Sequence, residues 1–189
     1  MSNKPRHLSV LGERKPIFIF SDGACEGEAF SNVTVGAVML DSVDGHKEMF
    51  GCSVPQEVVV FWKSDSITKE QTIAQAELLP AVLSRLVWRT RMIGRRIIFC
   101  LDNDGARLSL IKGSSPSRAS RILINSMLIA EVDFPAWIWF TRVPTYSNPG
   151  DAPSRLVLEP CAANLFAKRI SPPSERALCN LAIRGQFFD

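Results

Sequence analysis

Four carboxylates in this sequence fall where a folded chain could gather them. Asp22 and Asp102 each follow a run of apolar residues, Glu77 lies inside a long apolar helical stretch, and Asp151 stands in front of Ala152-Pro153. Taken singly, three of them have ordinary explanations: Asp22 before Gly23 and Asp102 before Asn103 read as turn residues, and Asp151 as a helix N-cap. Glu77 resists that treatment, because a carboxylate in so apolar a segment is poorly explained as surface decoration. Four converging acids would repel one another unless cations lay between them. The chain has only two histidines, His7 and His46, and neither is near these segments. The ligands would therefore be oxygen, which selects hard ions such as Mg²⁺ or Mn²⁺.

The elements that must position these acids can be read from the apolar pattern. Pro16 to Ser21, with Ile17-Phe18-Ile19-Phe20, predicts a buried central strand stopped by Asp22-Gly23. Val33 to Leu40 and Lys47 to Val54 predict two more strands, joined at Asp44-Gly45 as a hairpin. Pro55 to Ser66 fits an edge strand or a helical turn equally well. Thr68 to Arg91 predicts a helix in which Glu77 shares a face with the small residues Ala74, Ala81 and Ser84, while Pro80 should kink it or mark a late start. Ile97 to Leu101 is an apolar strand ending at Asp102, followed by a short helix to Ile111, a turn, and a helix over Ser117 to Glu131. Ala136 to Val143 predicts a fifth strand, Pro144 to Gly150 a loop, and Asp151 the cap of a last helix towards Arg169. The expected fold is α/β, a mixed five-stranded sheet with three antiparallel strands first and helix-linked strands after, flanked by helices. Residues 1–15 would be an arm, 16–170 the domain and 171–189 a tail.

Composition bounds the rest. The 189 residues are 46% hydrophobic and 22% charged, with a mean hydropathy of +0.07, enough to bury a core. No apolar run is long enough to span a membrane, and Met1 to Arg14 lacks a secretory apolar block. The five scattered cysteines argue against a disulfide scaffold or zinc site and for a reducing, intracellular setting, cytoplasm or nucleus. From Arg85 to Arg121 nine basic residues, Arg95 and Arg96 among them, face two acids, an excess that could follow a phosphate backbone. A solvated helix face explains the same residues.

Together, Ile17-Phe18-Ile19-Phe20-Ser21-Asp22-Gly23-Ala24, Gln75-Ala76-Glu77-Leu78-Leu79, Ile98-Phe99-Cys100-Leu101-Asp102-Asn103 and Ser147-Asn148-Pro149-Gly150-Asp151-Ala152-Pro153-Ser154-Arg155 resemble ribonuclease H, with its order Asp, Glu, Asp, Asp. The last segment is most similar to the form attached to retroelement reverse transcriptases. The resemblance implies two-metal hydrolysis of the RNA strand of an RNA/DNA hybrid, with Asp22, Glu77, Asp102 and Asp151 holding two Mg²⁺ or Mn²⁺ ions. It also implies a phosphate contact at Thr72, minor-groove reading by Gln75, an ordering role for Asn148 in the final loop, and a reverse transcriptase domain as partner.

The sequence departs from that pattern in two respects. The family's mobile histidine near the last aspartate is missing, its region holding Arg142, Val143, Pro144 and Tyr146, and the segment between Ile111 and Arg121 is too short for a basic handle. Rival readings are a DNA-directed nuclease of the same superfamily and a catalytically silent nucleic-acid-binding or structural domain. A proofreading-type exonuclease would want a glutamate where Ala24 stands, and a transposase core would place its glutamate on a late helix.

Overall fold

The computed structural model describes residues 15–28, 31–65 and 69–186. The proposed arm at 1–15 lies almost wholly outside the described residues. Strand β1 (Ile17–Glu26) is central, and its alternation shows why: Ile17 and Ile19 are fully buried on one face, whereas Phe18 and Phe20 are half-buried on the other. It pairs antiparallel with β2 (Asn32–Asp41), which pairs antiparallel with β3 (Lys47–Ser53). On its other side β1 pairs parallel with β4 (Arg96–Leu101), and β4 pairs parallel with β5 (Trp137–Arg142). A sixth strand, β6 (Lys168–Arg169), adds to β3, giving the order β5-β4-β1-β2-β3-β6. The mixed sheet matches expectation except for β6, whose two residues are too short to leave a periodic signal.

Helices cover both faces. On the inner face lie α1 (Gln56–Asp65), α2 (Lys69–Val87), α3 (Arg89–Met92), α4 (Asp104–Lys112) and α5 (Arg118–Asp133). They bury Val58, Val59, Trp62, Leu79, Leu83, Leu123 and Ile124 against Ile17, Ile19, Phe50, Ile97 and Phe99. On the outer face α6 (Asp151–Ser154) and α7 (Glu159–Leu165) cover β1 to β3, where Leu158, Cys161 and Ala167 pack on Val38 and Met49. All five cysteines are free thiols.

Several boundaries differ from the sequence reading. β1 runs on past Asp22-Gly23, because β2 continues to pair with it there (Asp22 with Gly36, Gly23 with Val35); only the parallel pairing with β4 stops, at Phe20 and Cys100. Pro55 to Ser66 is mostly helix α1, whose Trp62 is fully buried. The last helix does not reach Arg169 but divides into α6 and α7 before β6. The expected tail packs into the molecule: α8 (Glu175–Cys179) continues as a π-helical turn over Asn180–Arg184, and Leu178, Leu181 and Ala182 join the inner core beside α1 and α5.

Pro80 neither delays nor interrupts α2. A proline lacks the N–H that the carbonyl four residues earlier would accept, here that of Ala76. The helix crosses β1 at that point, and a Cβ on Gly23 would lie 2.3 Å from the Ala76 oxygen. The outer face has a matching device. Gly36 and Gly51 are cross-strand partners, and a Cβ on either would lie 2.3 Å from the backbone of Pro153 in α6. Gly23→Ala should therefore push α2 off β1 and destabilise the fold by about 1–3 kcal/mol, read as a lower midpoint of thermal unfolding. An unchanged midpoint would show that the crossing is looser than described.

Candidate active site

The acids meet where β1 and β4 part. Asp22 lies two residues beyond the last parallel pair, Asp102 follows the last residue of β4, and Glu77 reaches the same gap from α2. Ligand oxygens of Asp22, Glu77 and Asp102 lie within 4.8 Å of one another. The gap lies beyond the carboxyl end of β4, at the kind of position where open α/β sheets place ligands.

Each acid is held. The backbone N–H of Gly23 donates to the Glu77 carboxylate. The Ser154 hydroxyl, fully buried in α6, meets Asp22 Oδ2 and lies 2.8 Å from the Asp151 carbonyl oxygen. Asp151 is outside the tight trio. Its Oδ1 accepts from Arg155 Nε at 3.1 Å, and Arg155 also pairs with Glu26 at 3.2 Å. Gly150, not Asp151, is the cap position of α6, so the Asp151 carboxylate does not close the helix end. Asn148 ties the preceding loop to β1: its side-chain amide donates to the Ser21 carbonyl at 3.2 Å, and its Oδ1 accepts from Gly150 N–H at 3.0 Å.

The electrostatics record the crowding. Burial pushes Glu77 up to about 9, and the charges of Asp22, Asp102 and Asp151 add to that, with the Gly23 N–H opposing. Burial likewise raises Asp22, helped by Asp102 and Asp151 and opposed by the Ser154 hydroxyl and Arg155. Glu77 Oε2 and Asp102 Oδ1 are buried and accept no hydrogen bond. Unmet oxygen acceptors in a cluster of three acids fit a hard divalent cation as ligand.

The other expected residues are not gathered here. Thr72 is buried, and Gln75 is fully buried, donating to the Ser117 hydroxyl at 2.8 Å, which in turn donates to Asp65 at 3.0 Å. Neither presents an open surface to a nucleic acid. Arg95 grips Asp41 with both nitrogens (2.9 and 3.2 Å), and Arg96 opens β4 at the end opposite the acids, about 20 Å away along the strand. Much of the basic excess is taken up inside the fold. Arg85 is fully buried with Glu131 at 3.3 Å and donates to the Ala130 and Phe134 carbonyls; Arg91 pairs with Asp44 and Arg107 with Asp104. Conversely, no role was read for Ser154 and Arg155, although their spacings of three and four from Asp151 place them one helical turn away from it.

The folded value of Glu77, about 9, exceeds its ordinary 4.5. The native state thus keeps a proton that the unfolded chain gives up, and stability of the metal-free protein falls as pH rises from about 4.5 to about 9. Glu77→Gln should flatten that slope and raise the unfolding midpoint at about pH 8 by several degrees, on the order of 2 kcal/mol. A parallel pH dependence for variant and wild type would place the burden on another group.

No family profile matches the sequence, and no curated protein matches it. Solved structures match by shape. The RNase H1 of the halophilic archaeon Halobacterium salinarum NRC-1 superimposes with a TM-score of 0.50 at 19% identity, over 77% of this chain and 98% of that one. LC11-RNase H1, isolated from compost by a metagenomic approach and solved in complex with an RNA/DNA hybrid, gives a TM-score of 0.52 at 12% identity, over 76% of this chain and 96% of that one. At these identities the likeness is one of architecture: this chain has the ribonuclease H fold.

Proposed function

We propose that this protein is a divalent-metal-dependent endonuclease that hydrolyses the RNA strand of RNA/DNA hybrids by a two-metal mechanism. The observation that carries the reading is the trio of buried Asp22 and Glu77 with half-buried Asp102, with two unmet oxygen acceptors, where β1 and β4 part in a ribonuclease H fold. A hybrid occupies the similar LC11 enzyme, and a hybrid is the substrate proposed here. The Ser147-to-Arg155 segment supports an origin in a retroelement and a reverse transcriptase domain as partner, and the five scattered free thiols support an intracellular setting. Among the described residues no helix is long and apolar enough to cross a membrane.

Asp22, Glu77, Asp102 and Asp151 are the residues that would hold the two ions. Bound Mg²⁺ or Mn²⁺ supplies Lewis-acid activation of water and stabilisation of the leaving oxygen. The chain's own groups prepare that arrangement. Ser154 and the Gly23 N–H fix the Asp22 and Glu77 carboxylates, so their orientation is set before substrate arrives. Arg155 holds Asp151 and offsets part of the local negative charge. Asn148 fixes the loop that delivers Asp151. Arg142, at the end of β5 and 3.5 Å from Asp104, is an exposed cation on the approach to the site.

The test is incubation of the protein with labelled RNA/DNA hybrid, duplex DNA and duplex RNA, with Mg²⁺, Mn²⁺ or chelator. Hybrid should be cut, and only with metal. Equal cleavage of duplex DNA would favour the DNA-directed nuclease, and binding without cleavage in either metal the silent module. Asp102→Asn should lower hydrolysis by two or more orders of magnitude while circular dichroism stays native, because it removes a charge and keeps the shape.

A second expectation follows from the raised value of Glu77. A ligand carboxyl must lose its proton to bind metal, and Glu77 holds one up to about pH 9. Metal binding near neutral pH should release about one proton, and affinity should rise up to about tenfold per pH unit below that value. Calorimetry in buffers of different ionisation enthalpy measures the release; none at about pH 7 would show that Glu77 is already ionised or takes no part.

A further inference from the structure

The outer face of the sheet is covered over β1 to β3 but open over β4 and β5. The register places Trp137 beside Arg96, Trp139 beside Ile98, and Thr141 beside Cys100, with Phe18 and Phe20 continuing the last two rows on β1. All these side chains share one face, since strand residues alternate. Trp139 is 71% exposed and Trp137 46%, on a strand that forms the edge of the sheet. The other two tryptophans, Trp62 and Trp88, are buried in the core.

That face leads to the acids. Asp22 continues the row of Phe18 and Phe20, and Asp102 that of Arg96, Ile98 and Cys100, so Trp139 lies about 13 Å down the sheet from the acid cluster. Trp137 and Trp139 are about 7 Å apart along β5, a spacing that lets each meet a separate base of an extended strand. The only side chain of fixed charge in these rows below the acids is Arg96, which makes no ion pair among the described residues. Exposed aromatic rings beside a cation, without carboxylates, are what binding of single strands uses: bases stack on the rings and the cation meets a phosphate.

We propose that Trp137, Trp139 and Arg96 form a stacking platform for single-stranded RNA, the unpaired extension of the strand that lies across the acids. The assignment to RNA rests on the function proposed above, in which the strand at the acids is the one cut. Trp139 provides the main stacking surface, Trp137 the second, and Arg96 a phosphate contact.

The test uses the whole protein in chelator, so that nothing is cleaved. Tryptophan emission and fluorescence anisotropy are followed with labelled blunt hybrid, hybrid carrying an RNA overhang, hybrid carrying a DNA overhang, and free oligouridylate of about twelve nucleotides. The RNA overhang should tighten binding about tenfold over the blunt hybrid and quench emission, since two of the four tryptophans are exposed to stacking. Trp139→Ala should remove most of that advantage while leaving the blunt hybrid unaffected; Trp139→Phe should retain part of it. Thermal unfolding of each variant at the wild-type midpoint verifies that the core is intact.

An advantage for the DNA overhang alone would overturn the assignment to RNA. No quenching by either overhang, or quenching and affinity undiminished by Trp139→Ala, would overturn the platform. Emission that changes with protein concentration alone, with a dimer mass by sedimentation, would assign the strip to a second copy of the chain. Trp139-dependent binding of oligouridylate by a protein that cuts no hybrid would leave the platform standing and remove the nuclease reading; cutting without the overhang effect would do the reverse.

Discussion

Close contact between α2 and β1 governs the site. Glu77 can share a gap with Asp22 only if the helix backbone lies almost on the strand, and that is possible because Gly23 has no Cβ to meet the Ala76 carbonyl. The same contact places the Gly23 N–H against the Glu77 carboxylate, so the residue that admits the helix also orients its acid. On the opposite face Gly36 and Gly51 admit α6 in the same way, bringing Ser154 to Asp22. Two close approaches, one from each side of the sheet, thus converge on a single carboxylate.

The cost of this arrangement is electrostatic. Two buried acids and the half-buried Asp102 are held together, and the fold offsets only part of their repulsion through one amide, one hydroxyl and Arg155. Elsewhere buried charges meet opposite charges or carbonyls, as with Arg85 among Glu131 and two carbonyls, or Arg95 on Asp41, although Nε of each arginine is unmet. The acid cluster differs in bringing two unmet carboxylate oxygens, of Glu77 and Asp102, together, and there perturbed carboxyls and unmet acceptors point to a ligand and not to structural support.

What could be read from the sequence was what obeys local rules. The five main strands and the long helix carry clear apolar periodicity, and they stand where the pattern put them. The failures have a common cause in partners distant along the chain. Asp22-Gly23 reads as a turn, yet pairing with β2 keeps it in a strand. Arg85 and Arg95 read as a basic surface, yet Glu131 and Asp41, from other elements, draw them in. Gln75 reads as a nucleic-acid contact, yet Ser117, forty-two positions later, holds it inside. β6 has only two residues, and the role of Ser154 depends on a glycine pair across β2 and β3; neither leaves a local trace.

The packing of residues 175–184 has a consequence for how the molecule is made. Leu178, Leu181 and Ala182 complete a core whose first members, Ile17 and Ile19, are synthesised at the other end of the described chain. A ribosome that has delivered every strand of the sheet and all four acids still holds back the side chains that seal α1 against α5. The nascent domain therefore carries an open apolar seam until the final helical turn emerges. Its acids are in the chain before the protein around them is closed, so closure of the core waits on residues 175–184 and not on the site itself.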